Sequence, residues 1–471
     1  MSSSIDFMLN GQPVSASCRP DTTVLEWLRG DALLRGTKEG CAEGDCGACS
    51  VLVKCGGVSE HAAQYQAANS CIMLMGQLEG AALLTVEGLA QSSPDGHIIQ
   101  QRMAENGSSQ CGYCTPGIVT SLAGLLDQNG SPKDSDVHNA LAGNLCRCTG
   151  YRPIVEAALC AAQNSNSPLP DTNVEVGKAA VGVEGQSLFH LPKTMDELLD
   201  QKSKYPKATL LAGGTDISLD VAHARARWER VICTRDVREL QLHHTSDRHL
   251  KVGGAVSWQA VLPFLQTHWP SFATLVHRFG STQVRSMGTL AGNLATASPI
   301  GDGAPALIAL DASLTLISKA GRREVTLEDF FIDYRKCDLL ADEVIETINI
   351  PLPKKTQTFR AYKVSKRYDQ DISTVCGAFS LTIENDMIIK ARIAYGGMAA
   401  TPMRCIDAEV AMIGHPMNEA TLSVAKTAIE DAFEPMYDMR GSANYRTLVA
   451  GKLVERLFAD LSGEVVEVMS L

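Results

Sequence analysis

Ten residues near the start constrain this chain more than any others: Gly40-Cys41-Ala42-Glu43-Gly44-Asp45-Cys46-Gly47-Ala48-Cys49. Three cysteines spaced C-x4-C-x2-C in a glycine-rich turn, with Cys71 further on as a fourth, make the ligand pattern of a plant-type 2Fe–2S centre. Backbone amides must wrap close to the sulfurs, and glycine, lacking Cβ, bends freely enough to point them inward. The competing reading is structural zinc, which usually takes its thiolates from two separated C-x2-C pairs rather than from one three-thiolate loop.

The flanks suit a small ferredoxin-like fold. Ile5 to Leu9, the turn Asn10-Gly11 and a resumption at Val14 predict a hairpin. Thr23-Val24-Leu25-Glu26 is a capping box that predicts a helix through Trp27-Leu28, and Ala48 to Val53 predicts a strand ended by Gly56-Gly57.

From about residue 84 the period becomes helical. Helices are predicted over Ile98–Asn106, from an N-cap at Thr115 with Pro116 first in the helix through Ile118–Asp127, over Ser135–Ala142 and over Ile154–Ala162. A second quartet lies among them: Gln110-Cys111-Gly112-Tyr113-Cys114, then Asn144-Leu145-Cys146-Arg147-Cys148-Thr149-Gly150-Tyr151-Arg152. Antiparallel helices can bring such pairs together, and helix N-termini after Cys114 and Cys148 would stabilise the thiolates. Four cysteines are also a standard structural zinc set, so zinc competes more strongly here.

Residues 163–184 read as a linker, containing the run Asn164-Ser165-Asn166-Ser167-Pro168-Leu169-Pro170. A second capping box, Thr194-Met195-Asp196-Glu197, starts a helix. A buried-type strand, Ala208 to Ala212, then runs into Gly213-Gly214-Thr215-Asp216-Ile217. Glycines after a strand let backbone amides approach a pyrophosphate, although such a turn is commonly only a turn, and G-x-G-x-x-G is absent. Gly288 to Asp302 is a second stretch of small and hydroxyl residues without an aromatic, as expected of a loop around a large polar cofactor; the alternative is a segment packed closely on a sheet. Beyond it we expect a strand over Asp342–Ile350, a hairpin of Val375–Ile383 and Ile388–Tyr395 around Asn385-Asp386, and helices over Asn418–Phe433 and Arg446–Phe458.

Composition excludes several classes. Lys+Arg 42 against Asp+Glu 53 leaves a net charge of −11, which opposes nucleic acid and acidic membrane surfaces. There is no signal-peptide pattern at the start and no uninterrupted apolar run of about 18 residues, so a cytoplasmic protein is expected. Fifteen cysteines there point to metal or redox work rather than disulfides. Cys18, Cys55, Cys160, Cys233, Cys337, Cys376 and Cys405 are scattered in mostly apolar surroundings and read as buried core thiols.

The order C-x4-C-x2-C…C, Gln-Cys-Gly-x-Cys, Gly-Asn-Leu-Cys-Arg-Cys-Thr-Gly-Tyr-Arg-Pro-Ile and Gly-Gly-Thr-Asp resembles the molybdenum hydroxylases over essentially the whole chain. Within them it is most similar to the iron–sulfur and flavin subunit of two-subunit xanthine dehydrogenases. The resemblance implies an α+β multidomain chain. A β-grasp, plant-type 2Fe–2S domain (1–83) and a helical 2Fe–2S bundle domain (84–162) precede the linker. A vanillyl-alcohol-oxidase-type FAD-binding domain (185–353) and a CO-dehydrogenase-flavoprotein-like C-terminal domain (354–471) follow it. It implies one cluster on Cys41, Cys46, Cys49 and Cys71, the other on Cys111, Cys114, Cys146 and Cys148, and Gln110 at the pterin interface. FAD contacts implied by motif match are Leu210, Leu211, Ala212, Gly213, Gly214, Thr215, Asp216 and Ile217, with Phe279 as a stacking aromatic unless it fills a core pocket. Thr289, Gly292, Asn293, Thr296, Ser298, Asp302, Ile345 and Lys363 complete that set. Gln370 stands where animal members tend to carry an acid. No catalytic base is expected on this chain. Molybdopterin and the base belong to a large partner subunit, in an (αβ)2 heterotetramer with NAD+ as acceptor. The equivalent part of an aldehyde, carbon monoxide or N-heterocycle hydroxylase, or a standalone flavin/iron–sulfur reductase, is the alternative.

Overall fold

A computed structural model describes residues 4–56, 64–91, 93–163, 168–170, 172, 174 and 177–463. Gly57 and residues 164–167, 171, 173, 175 and 176 of the expected linker lie outside the described residues. The chain divides into two compact units, one of Met1–Leu242, Ala255–Ala260 and Gly280–Thr289, the other of His243–Gly254, Val261–Phe279 and Leu290–Leu471.

The first unit opens on the expected hairpin, β1 (Ile5–Leu9) and β2 (Gln12–Ala16). Asn10 and Gly11 turn it with φ of 51° and 79°, the conformation that matches strand twist. In α1 (Val24–Gly30), Thr23 Oγ1 accepts from the Glu26 amide at 3.2 Å. β3 (Ser50–Lys54) starts two residues later than expected, because Ser50 N first closes a turn onto Gly47 O at 3.1 Å. With β4 (Gln66–Asn69) and β5 (Ala82–Leu84) the sheet order is β2-β1-β5-β3-β4, and only β1–β5 is parallel. Trp27 and Leu28 of α1 bury with Ile5, Phe7, Val51 and Val53 in one core.

The helical part comprises α2 (Val86–Ala90), α3 (Ile98–Glu105), α4 (Thr115–Gln128), α5 (Asp134–Leu141) and α6 (Arg152–Ala162). It closes on Ile99, Met103, Ile118, Leu122, Val137, Leu141, Ile154 and Ala158. One expectation needs correcting: the N-cap of α4 is Cys114, not Thr115. Thr115 is itself the first helical residue, and its hydroxyl shares a hydrogen bond with Ser109 Oγ at 2.6 Å.

Next come β6 (Ala180–Val183), β7 (Ser187–His190), α7 (Met195–Lys204), β8 (Thr209–Leu211), α8 (Leu219–Ala222) and β9 (Arg230–Cys233). The sheet runs β6-β7-β9-β8, with β9 parallel to both neighbours. The last part of the expected linker is therefore strand. Gly182 in this strand, at φ 99°, passes so close to Ser187 O that a Cβ would lie 2.2 Å away.

The second unit holds a five-stranded sheet ordered His243–Thr245, His249–Gly253, Val344–Pro351, Ser313–Ser318 and Gly321–Thr326. Its four-stranded sheet is Gln357–Val364, Val375–Glu384, Met387–Gly396 and Met403–Arg404, with the expected turn at Asn385 and Asp386 (φ 50° and 62°). Helices Ile406–Met412, Glu419–Asp431 and Ala443–Ser462 supply Met412, Ile429 and Val454 to the core under that sheet. The stretch expected as a loop after Gly288 contains a helix, Leu290–Ala295, because its alanines and leucines favour one between the flanking turns. Among the described residues no helix is long and apolar enough to cross a membrane.

Candidate redox sites

The first cysteine loop is shaped by its backbone. Ala42, Gly44 and Gly47 have φ of 58°, 84° and 67°, and a Cβ on Gly40 would lie 2.6 Å from Cys46 Sγ. The amides of Glu43, Asp45 and Cys46 therefore converge on Cys41 Sγ at 3.4, 3.3 and 3.3 Å, and the Cys41 amide meets Cys46 Sγ at 3.3 Å. A hydrogen bond from the Cys46 thiol, reinforced by those amides, holds Cys41 down at about 4 and pushes Cys46 up. Inward N–H groups of this kind favour negative charge on sulfur. Cys49 Sγ lies 3.3 Å from Cys71 Sγ in a buried apolar patch with Leu25 and Ile72, against which Leu219 of α8 packs.

In the helical part Cys111 pairs with Cys148, and Cys114 with Cys146. Gly112, Gly150 and Tyr151 take φ of 79°, 66° and 67° there. Tyr151 Oη accepts from the Cys146 amide at 2.8 Å and donates to Asn144 O at 2.9 Å, so the ring braces the second C-x-C turn. α4 begins directly after Cys114, but three residues separate Cys148 from α6. Cys111, Cys148 and Gln110 are exposed, while Cys114 and Cys146 are half-buried.

Among the described residues no three His, Cys, Asp or Glu side chains are spaced to hold a single ion. The eight expected ligands meet two by two, as two irons with two thiolates each require, so both quartets fit a binuclear 2Fe–2S group.

The two loops touch through their backbones. Leu145 N donates to Cys46 O at 2.9 Å and Asn144 Nδ2 to Gly47 O at 3.0 Å. A Cβ on Gly47 would stand 2.1 Å from Gly143 O, and one on Gly117 2.1 Å from Gly47 O. Asn144 was visible in its motif; nothing local could have marked Gly47, Gly117 and Gly143 as partners.

The implied FAD contacts fall into separate sets. In the first unit, the Leu210–Ile217 segment begins within β8 and runs on from its end, with Gly214 at φ 80°. Gly213 has a second reason to be glycine: a Cβ there would lie 1.9 Å from Met287 O, where the segment ending at Thr289 crosses it. Ser218 Oγ, Thr234 Oγ1 and Ser286 Oγ around this crossing are buried without hydrogen-bond partners. In the second unit, Gly292 and Asn293 lie on helix Leu290–Ala295, Thr296 and Ser298 just after it, and Asn293 Oδ1 is likewise buried and unpartnered. Asp302 is buried with Lys363, whose Nζ lies 2.5 Å from Oδ2, and accepts from Ser373 Oγ, a residue the sequence did not single out. Phe279 is half-buried after helix Pro270–His277, and its neighbour Arg278 donates to Lys363 O at 2.8 Å. Ile345 is buried opposite Leu316 in the five-stranded sheet. Unpaired buried polar atoms beside glycine crossings fit an extended polar cofactor such as FAD.

Four family descriptions match in sequence order: 2Fe-2S iron-sulfur cluster binding domain (7–76), [2Fe-2S] binding domain (85–159), FAD binding domain in molybdopterin dehydrogenase (183–353) and CO dehydrogenase flavoprotein C-terminal domain (360–461). Relatives include xanthine dehydrogenase of Emericella nidulans, 32% identical over 98% of this chain and 39% of that protein. Aldehyde oxidase 1 of Bos taurus is 29% identical over 90% and 37%. The chain thus spans about two fifths of the curated relatives it matches. Among solved structures, carbon monoxide dehydrogenase from Hydrogenophaga pseudoflava matches with TM-score 0.55 and 26% identity over 58% of this chain and 96% of that one. Quinoline 2-oxidoreductase from Pseudomonas putida 86 matches with TM-score 0.55 and 25% identity over 60% and 99%. With paired thiols, glycine crossings and all four domain types in one order, the chain belongs to the molybdenum hydroxylase family, of which it carries the two iron–sulfur domains and the flavin-binding part.

Proposed function

We propose that this chain is the electron-transfer component of a cytoplasmic xanthine dehydrogenase. It would draw electrons from a molybdopterin site on a large partner subunit in an (αβ)2 assembly and deliver them to NAD+, as hypoxanthine and xanthine are oxidised to urate. When bound, two 2Fe–2S clusters and FAD supply one-electron carriage and its conversion to two-electron delivery. The chain's own part is to hold and shield them. Cys41, Cys46, Cys49 and Cys71 take the first cluster, and Cys111, Cys114, Cys146 and Cys148 the second. Leu210 to Ile217 and Thr289, and separately Gly292, Asn293, Thr296, Ser298, Asp302, Ile345, Lys363 and Phe279, take FAD. Gln110, exposed beside Cys111, is assigned to the interface with the pterin-bearing partner. The observation that carries this reading is the hydrogen bond from Leu145 N to Cys46 O, which joins the two ligand loops directly.

The same component of an aldehyde, carbon monoxide or N-heterocycle hydroxylase is the second reading, favoured by the similarity to aldehyde oxidase 1 and to the two solved structures. Assay of the complex purified with its partner separates the two. Rapid NAD+ reduction with hypoxanthine or xanthine is expected; turnover confined to an aldehyde or to a heterocycle such as nicotinate moves the assignment to the second reading. We expect about four irons and one FAD per chain, and a colourless, zinc-containing preparation without acid-labile sulfide rules out electron transfer altogether.

A further inference from the structure

The junction of the two cysteine loops is held by a side chain that neither loop supplies. Gln283, on helix Thr282–Met287, is 1% exposed. Its Nε2 donates to Asn144 Oδ1 and Ser121 Oγ, both at 2.9 Å, and lies 3.2 Å from Ser50 Oγ. Asn144 Nδ2 donates in turn to Gly47 O at 3.0 Å, and the next amide, Leu145 N, to Cys46 O at 2.9 Å. Cys46 is a ligand of the first quartet and Leu145 precedes Cys146 of the second, so one hydrogen bond completes a bonded connection between the ligand sets. Gln283 is itself fixed. A Cβ on Gly143 would lie 2.3 Å from its Oε1, Thr282 Oγ1 donates to Asn139 O at 3.1 Å, and Arg285 Nη2 donates to Asn139 Oδ1 at 2.7 Å. The helix that carries Gln283 is thereby latched to the end of α5.

We propose that Gln283 is the positioning residue for electron transfer between the two iron–sulfur centres, acting through Asn144 to fix the Leu145–Cys46 hydrogen bond. The inference rests on the electron-transfer reading above. In the step concerned, one electron leaves the reduced centre of the helical part and enters the oxidised centre of the first loop. No bond is made or broken and no proton moves. Electronic coupling through the connecting atoms is therefore what protein geometry can set, and Gln283, outside both ligand loops, is in a position to set it.

The test uses the complex with its partner subunit. Gln283→Met keeps the side chain's length and removes its donors. We expect wild-type iron, sulfide and FAD content and an unchanged rate at which substrate reduces the helical centre. Transfer onward to the first centre should slow by about tenfold or more, as angstrom-scale misplacement of a reactive geometry generally does. The magnetic splitting between the two reduced centres in the EPR spectrum should change as well. Ser121→Ala, which removes an acceptor but leaves the Asn144 arm, should behave like wild type. Wild-type transfer and splitting in Gln283→Met at full iron content overturn the proposal. Loss of iron from Gln283→Met overturns it too, since the residue would then support the sites and not the transfer between them. Wild-type protein without iron defeats the electron-transfer reading instead.

Discussion

At the scale of single residues, the cysteines and the glycines among them carry different burdens. Each thiolate of a two-iron centre has one job, so under the proposed function Cys46→Ala or Cys148→Ala should remove one cluster and stop NAD+ reduction while molybdenum on the proposed partner is still reduced by substrate; EPR of the frozen, substrate-reduced complex checks this. Gly47 sits at φ 67°, with room for no Cβ between it and Gly143 O. Gly47→Ala combines left-handed strain with overpacking, so a loss of about 2–5 kcal/mol is expected, and both clusters should be lost together because the same residue separates both loops. Iron analysis alongside thermal unfolding reads that directly.

At the scale of elements, sequence and structure agree where the determinant is local. Thr23 and Thr194 cap their helices as the boxes predict, each accepting from the amide three residues on, and the hairpin turns at Asn10 and Asn385 fall where expected. The failures differ in range. Thr115 falls inside α4 and residues 180–183 pair with β7, both within a few residues of sequence but without a capping or turn pattern to mark them. Gln283 meets Asn144 across 139 residues of sequence, so no window of sequence could show the contact. Strand β7 also carries a pH response that its sequence hides. Burial, assisted by the Arg230 guanidinium 2.9 Å from Nε2, lowers His190 from 6.5 to about 4. The unfolded chain then binds the extra proton first, so stability present above pH 6.5 is lost as pH falls toward 4. The thermal midpoint should drop on going from pH 7 to pH 5, and it should drop less in His190→Gln, which titrates nothing over that range.

At the scale of the molecule, cooperativity within the first unit turns on Arg235. The β-grasp sheet and the β6–β9 sheet share one buried core: Ile5, Phe7 and Leu78 pack with Val181, Phe189, Leu211 and Val231. A Cβ on Gly76 would strike the Phe189 ring at 2.7 Å, so the two sheets meet at ring contact. Arg235 crosses that junction, donating to Gln77 O, to Glu79 O at 3.0 Å and to both carboxylate oxygens of Asp236. Burial would raise Asp236, but Arg235 and Lys193 outweigh it and hold the carboxylate at about 2. Arg235→Met removes the donors while keeping apolar bulk, and it leaves two buried carbonyls and one carboxylate to Lys193 alone. Breaking a buried pair in this way costs about 3–5 kcal/mol. A shared core makes the loss global: cluster bleaching, flavin release and far-ultraviolet ellipticity should move to a lower temperature by the same amount. If the clusters bleached well before the β6–β9 sheet unfolded, the two sheets would be independent folding units and the core between them only a contact.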